Sequence, residues 1–348
     1  MVEQKNTAPC FTENKGKSSR RGDLRGVLSI SLIFVLLTAV SALRIAIGHD
    51  YWEYKDIFDL ISQDRYVSTE FGFNILVRIC HFIFGNENYI IIFGIVAFAT
   101  MLFFMKGLYD QSKNFRFSFF LFMTFGYYLS TFNSIRYYLV LAMAFFAVKY
   151  LLAREYDKFV LTVLLASTMH MAVLFVLFAY PLALVKWKKW MVPVVGVFVA
   201  SLLLFPNFYR RIIFIFYPYY ENSIFDTGET SIINIARCAA VLIFALIFYK
   251  KALKGNRENM FYFNLSLEAL VVYACCSFIP VISRIGFFLN IYQVFLIPNV
   301  ISSIEKKWLR TALTVCVCIA GVGYFAFFLH TCKDDATRIV PYLNWILN

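Results

Sequence analysis

Residues 159–185 read FVLTVLLASTMHMAVLFVLFAYPLALV, a run of 27 with no Asp, Glu, Lys or Arg and a lone histidine at 170. A helix rises about 1.5 Å per residue, and the hydrocarbon core of a bilayer takes about 20 helical residues. The run is long for one crossing and short for two. If both of its ends face the same side, it turns near Ser167-Thr168-Met169-His170. Two half-length helices would then meet at membrane depth, which is tolerated only where they line a protein cavity.

The rest of the chain fits this setting. It has 348 residues, 61% hydrophobic and 16% charged, with a mean hydropathy of +0.68. Soluble domains run nearer 45–50% apolar and about 25% charged. These proportions exclude an ordinary soluble enzyme and a disordered chain. Further apolar runs lie at 27–47, 88–105, 117–131, 136–153, 190–206, 232–249, 262–281, 285–300 and 309–330, with a shorter one at 71–84 interrupted by Arg78. The expectation is an all-α polytopic membrane protein with about eleven crossings. Residues 1–26 read as a basic cytoplasmic tail, and 27–348 as one polytopic membrane domain with external loops at 48–70 and 207–231. The run 27–47 is long enough to span and is followed by Gly48-His49-Asp50, not by a small-residue cleavage site, so it is expected to be retained.

The net charge is +12. Most of the cations fall in six clusters, at 1–25, 106–116, 149–158, 186–189, 250–257 and 306–310, as expected of loops facing the cytoplasm and not of a nucleic-acid stripe. Placing all six on one side keeps 71–84 from crossing and makes 159–185 go out and return. The rival arrangement lets 71–84 cross and makes 159–181 a single span, at the cost of putting two clusters outside. The charge rule favours the first. No C-x-x-C pair, zinc spacing or nucleotide-binding glycine loop is present, and no metal or cofactor is expected. Cysteines such as Cys80, Cys238 and Cys316 sit inside apolar runs, where they act as small hydrophobes.

Ionisable residues at membrane depth are costly and are functional candidates by default. Arg44, Arg136, His170 and Arg284 stand out, all near the outer ends of helices in the favoured arrangement. Arg44 could equally be an interfacial anchor pairing with Asp50. Asn133 or Ser134 could cap the helix that carries Arg136. His170 could be a structural donor, and Arg284 follows the helix-breaking Pro280. Several arginines at one site suit a phosphate-bearing anion, because guanidinium binds phosphate in two-pronged fashion and stays charged. The loop 207–231 adds Arg210, Arg211 and the aromatic run Phe216-Tyr217-Pro218-Tyr219-Tyr220, which would suit either an interfacial belt or a sugar chain.

These residues, in order, resemble a known family. The pattern is Arg44, then Gly48-x-Asp50-Tyr51-x-x-Tyr54, Glu70-x-Gly72-Phe73, Asn133-x-x-Arg136, Ala166-x-x-x-His170, and Arg284 with Pro298 further on. It is similar to the EpsG family of Wzy-like bacterial exopolysaccharide polymerases. Two departures stand out. The family's Gly-Thr-Asp is Gly48-His49-Asp50 here, and its Arg-Gln is Arg136-Tyr137. The resemblance implies a fold like the multi-spanning GT-C glycosyltransferases, in the bacterial plasma membrane with the N-terminus cytoplasmic. It implies a polymerase acting at the outer face on undecaprenyl-diphosphate-linked oligosaccharide units, with membrane lipid around it and a chain-length regulator as a partner. Arg136, Arg284, His170 and Asp50 are the implied catalytic residues. Arg44, Glu70, Tyr51, Tyr219, Arg210 and Arg211 are the expected substrate-binding ones. Arginines would stabilise the departing diphosphate, and His170, Asp50 or Glu70 would serve as base. A transporter or flippase of lipid-linked sugars would use the same arginines without chemistry. A membrane acyltransferase modifying a polysaccharide would use the histidine. The residues leave open the sugars, the linkage, and whether the product is capsule, exopolysaccharide or O-antigen.

Overall fold

A computed structural model of the protein describes residues 20–85, 88–216, 221, 231–279, 282–332 and 339–346. Among these residues the chain is helical, and the one strand-like pairing is an isolated bridge between Arg44 and Asn344. In order, the α-helices are α1 (Arg20–Ala42), α2 (Tyr51–Ser62), α3 (Phe71–Phe84), α4 (Tyr89–Gln111), α5 (Phe115–Thr124), α6 (Tyr127–Ser130), α7 (Ile135–Leu152), α8 (Tyr156–Ser167), α9 (Val176–Ala183), α10 (Met191–Leu204), α11 (Pro206–Phe216), α12 (Ile232–Ile247), α13 (Arg257–Cys275), α14 (Ile282–Asn290), α15 (Gln293–Ser302) and α16 (Lys307–Thr331). A 3₁₀ turn, Met171–Phe175, leads into α9.

The helices show why lipid is their solvent. On α4, Phe93, Val96, Ala97, Thr100, Met101, Phe104 and Leu108 recur at helical spacing and are buried against α1 and α7. The opposite face exposes Ile95, Phe98 and Leu102, where a soluble helix would carry polar groups. The same holds more strongly for α16, which buries Gly321 and exposes Val315, Ile319, Val322 and Phe327. The protein is therefore an integral membrane protein. Among the described residues, four stretches are individually long and apolar enough to cross a bilayer: α4, α7, α16 and the α14–α15 stretch Arg284–Ser302. The pair α10 and α11, bent by 84°, makes a fifth if counted as one span. The expectation of about eleven crossings counted apolar runs, and the structure divides several of these between shorter helices. The run 117–131 breaks at Gly126, whose φ of +77° suits a residue without a Cβ, into α5 and α6. The stretch 48–70, read as a loop, holds α2, and α1 begins at Arg20, ahead of the apolar run.

Ion pairs sort the helix ends. Asp110, at the end of α4, holds both Lys106 and Lys149 at 2.8 Å. Lys113 lies 3.8 Å from Glu258, Lys251 lies 3.3 Å from Glu305, and Arg257 donates to the Leu152 carbonyl. Four of the sequence's basic clusters thus gather at one end of the molecule, the basic end. The starts of α4 and α7 lie at the other, far end. Helix α3 starts there, where Glu70 meets Arg136, and after its last residue Phe84 the chain enters α4 at the same end.

The run 159–185 folds as a hairpin. Phe159 near the start of α8 lies 6.2 Å, ring to ring, from Tyr180 near the end of α9. Asn264 of α13 donates to the Ala183 carbonyl, two turns from Arg257 at the basic end. The helix stops at Ser167, and His170 is extended (φ −161°, ψ 119°) at the tip. An uninterrupted helix from Val160 to Pro181 is excluded.

Candidate functional site

At the far end, five helix starts meet. Asp50 sits at the N-cap position of α2, Glu70 at that of α3 and Ser134 at that of α7; His170 precedes the 3₁₀ turn, and Arg284 lies in the first turn of α14. The start of a helix carries partial positive charge from its unpaired N–H groups. Neither acidic side chain bonds its own helix in the usual capping manner. Both reach across to other elements.

Two glycines make this reach possible. Gly48 is left-handed (φ +90°), and a Cβ there would fall 2.1 Å from the Phe132 carbonyl oxygen. The loop can therefore lie on the segment before α7, where the His49 N–H donates to Asn133 Oδ1 at 2.7 Å. At Gly72 a Cβ would fall 2.4 Å from Thr168 Oγ1, so α3 begins directly on the hairpin tip and the Gly72 N–H donates to the Thr168 carbonyl at 3.0 Å.

The side chains then form two linked networks. In the first, Glu70 Oε2 accepts from Arg136 Nη1, while Oε1 accepts from His170 Nδ1 at 2.8 Å and from the Met171 N–H at 2.9 Å. A carboxylate can only accept, so Nδ1 carries the hydrogen; in the neutral ring the lone pair is left on Nε2. The Arg136 guanidinium lies over Phe73 (5.3 Å) and Tyr54 (5.9 Å). Its Nε is buried and has no hydrogen-bond partner among the described residues. Burial alone would raise the Glu70 carboxyl. The hydrogen bonds from His170 and Met171 and the Arg136 charge outweigh it and hold the group below its ordinary value. In the second network, Ser134 Oγ donates to Asp50 Oδ2 and accepts from Arg284 Nη2 at 3.3 Å. The Tyr137 hydroxyl donates to the Arg284 carbonyl at 2.5 Å, and its ring packs edge-on to His170 at 6.2 Å. Tyr137 and the start of α7 join the two networks.

Arg136, His170, Glu70, Asp50 and Arg284 are thus brought together. Others are not. Arg44 is buried, not snorkelling, and Asp50 is not its partner. It lies over Phe93 and Phe132, donates to the Ser41 carbonyl, and joins the end of α1 to Asn344 by backbone pairing. Tyr51 is stacked on Phe93 at 4.8 Å in a second core cluster. Arg210 and Arg211 ride on α11, which packs through Tyr209 and Ile213 near Phe278 and Ile282, ahead of Arg284. Tyr219, Tyr217, Pro218, Tyr220 and Pro280 lie outside the described residues. Ser134 does not cap α7 with its side chain, as a hydroxyl at that place suggests, but ties Asp50 to Arg284. Arg237, passed over within the run 232–249, is buried among Phe125, Tyr127 and Tyr324. An arginine inside an apolar run was the available signal.

The arrangement offers two guanidinium groups, five positive helix starts and an imidazole backed by a carboxylate. Such a set can bind an anion and take a proton beside it. The family model described as the EpsG family matches residues 27–344 of the chain. No curated protein and no solved structure matches it.

Proposed function

From the premise that the chain belongs to the EpsG family, we propose that it is a polysaccharide polymerase joining undecaprenyl-diphosphate-linked oligosaccharide units at the outer face of the bacterial plasma membrane. The observation that carries this reading is the joined network of Arg136, Glu70, His170, Ser134, Asp50 and Arg284 at the end opposite the basic clusters. Lys and Arg collect on the cytoplasmic side, so the far end faces outward and the N-terminus inward.

In this reading the growing chain on one lipid is the donor. A hydroxyl oxygen of the incoming unit attacks the anomeric carbon, and the bond from that carbon to the diphosphate oxygen breaks. The bonding pair leaves with the diphosphate, and the hydroxyl proton passes to His170 Nε2. Arg136 and Arg284 stabilise the charge that develops on the leaving group, helped by the helix starts. Glu70 orients the imidazole, and Asp50 sets Arg284 through Ser134. The donor diphosphate displaces Glu70 from Arg136 in part and engages the free Nε.

The test is product analysis in cells. Arg136→Ala and Arg284→Ala, at wild-type protein level, are each expected to lower polymerisation by about 10²–10³. Single repeat units should accumulate on the lipid on the outer side. Full-length polymer from both variants, or units held on the cytoplasmic side, overturns the reading.

A further inference from the structure

We propose that the basic end carries a binding site for an anionic glycerophospholipid, seated between α5, α15 and α16. A cavity of about 580 Å³ opens there, the size of a small-molecule site. It lies at the opposite end of the molecule from the network of Arg136 and His170, and the inference does not depend on the polymerase reading.

Charge is placed at one end of this cavity. Arg116 and Arg310 line it, both exposed. Neither guanidinium forms an ion pair or hydrogen bond with any described residue, whereas Lys106, Lys113, Lys149 and Lys251 of the same end are paired with carboxylates. Two helices begin at the same place. Helix α5 starts at Phe115, and Asn114 caps it by accepting from the Phe117 N–H at 3.2 Å, which leaves the amide NH₂ to donate elsewhere. Helix α16 starts at Lys307, one turn before Arg310. Both direct the positive ends of their dipoles to the arginines.

The inner wall is of the opposite character. Phe117, Phe120, Ile301, Val315 and Cys318 are apolar, and Cys318 lies eight residues beyond Arg310, about 12 Å deeper along the helix. One wall is α16, which faces lipid along nearly its whole length, so a chain can enter from the side. The polarity gradient, from charge at the helix starts to hydrocarbon below them, runs as it does in one leaflet of a bilayer. A free phosphate would use only the arginines and leave the apolar wall unmatched. A phosphodiester with an acyl chain matches both.

Native mass spectrometry of the purified full-length protein tests this, with phosphatidylglycerol as probe and phosphatidylcholine, inorganic phosphate and undecaprenyl phosphate as comparison arms. The wild type is expected to retain one phosphatidylglycerol in preference to phosphatidylcholine. The double variant Arg116→Gln/Arg310→Gln is expected to bind it roughly thirtyfold more weakly, the loss of two charge contacts at an anionic headgroup. Lys186→Gln/Lys188→Gln, which removes the same charge elsewhere, should leave binding unchanged. Thr314→Trp keeps both arginines, fills the cavity and should also abolish retention. The melting temperature without lipid checks that each variant is folded. Equal retention of both phospholipids, equal loss in the lysine control, full retention in Thr314→Trp, or displacement by inorganic phosphate or by equimolar undecaprenyl phosphate overturns the proposal.

Discussion

Glu70 answers to Arg136, His170 and the Met171 N–H at once, so its replacement should be felt in two ways. Glu70→Gln keeps the volume but removes the charge that orients the imidazole and holds the guanidinium. In an assay of lipid-linked repeat units it is expected to cost about 10²–10⁴ in rate, the scale of a general base left unsupported. Stability changes with a definite sign. The folded-state value of Glu70 lies below its ordinary 4.5, so its contribution is complete above that pH and is lost as the pH falls through the lowered value. Melting curves of wild type and Glu70→Gln should therefore be well separated at neutral pH and converge on acidification; a gap that is constant with pH contradicts the pairing. The charged members of this network were legible in the sequence because a charge at membrane depth is rarely idle. Ser134 and Tyr137 were not. A hydroxyl at a helix start has a local explanation as a cap, and a tyrosine in an apolar helix has one as core. Only the fold reveals that each reaches a residue about 150 positions away. Arg44 is the opposite case: it lies apart from the network, and nothing local tells a buried arginine between Phe93 and Phe132 from one beside His170.

At the scale of elements, the hairpin of α8 and α9 is the part most plainly written in the chain. Its length, its lack of charge and the basic residues on both sides favour an out-and-back path over a single span. The position of α3 follows less directly, because a 14-residue apolar helix, about 21 Å long, can dip part-way into a bilayer or lie along its surface, and its contact with the tip decides. That contact is tight. Gly72→Ala would set a methyl group against both the side chain and the carbonyl of Thr168, at 2.4 and 2.8 Å. It is expected to push α3 off the tip, take Glu70 from His170 and reduce activity well before it unfolds the protein. Normal activity in Gly72→Ala would show that the contact can relax freely. The sidedness of the elements is open to labelling with an impermeant thiol reagent in a chain stripped of its own cysteines. His49 and Tyr66 are exposed at the far end, whereas Tyr137 is too buried to report. Cysteines at 49 and 66 should label in intact cells, and those at 188 and 254 only after permeabilisation. The reverse pattern would invert the orientation.

Across the whole molecule, the network draws Asp50, Glu70, Arg136 and His170 from the first half of the chain and Arg284 from the second. The two halves are joined by the exposed stretch Val185–Trp190, which carries Lys186, Lys188 and Lys189. They meet where α13 packs on α9, where α15 and α16 pack on α5, and where α14 packs on α7. The site is in this sense a seam, stitched last. While the chain is being made, the residues of the first half can find one another as soon as α9 is in the membrane, but the latch through Ser134 waits for α14. A chain cut in the exposed basic stretch keeps every contact within each half and loses only one peptide bond at the surface. Co-expressed fragments 1–187 and 188–348 are therefore expected to restore polymer formation to a strain lacking the protein, while neither fragment does so alone. Activity from the first fragment by itself would mean that Arg284 is a bystander, and it would leave the whole chemistry to the half that is synthesised first.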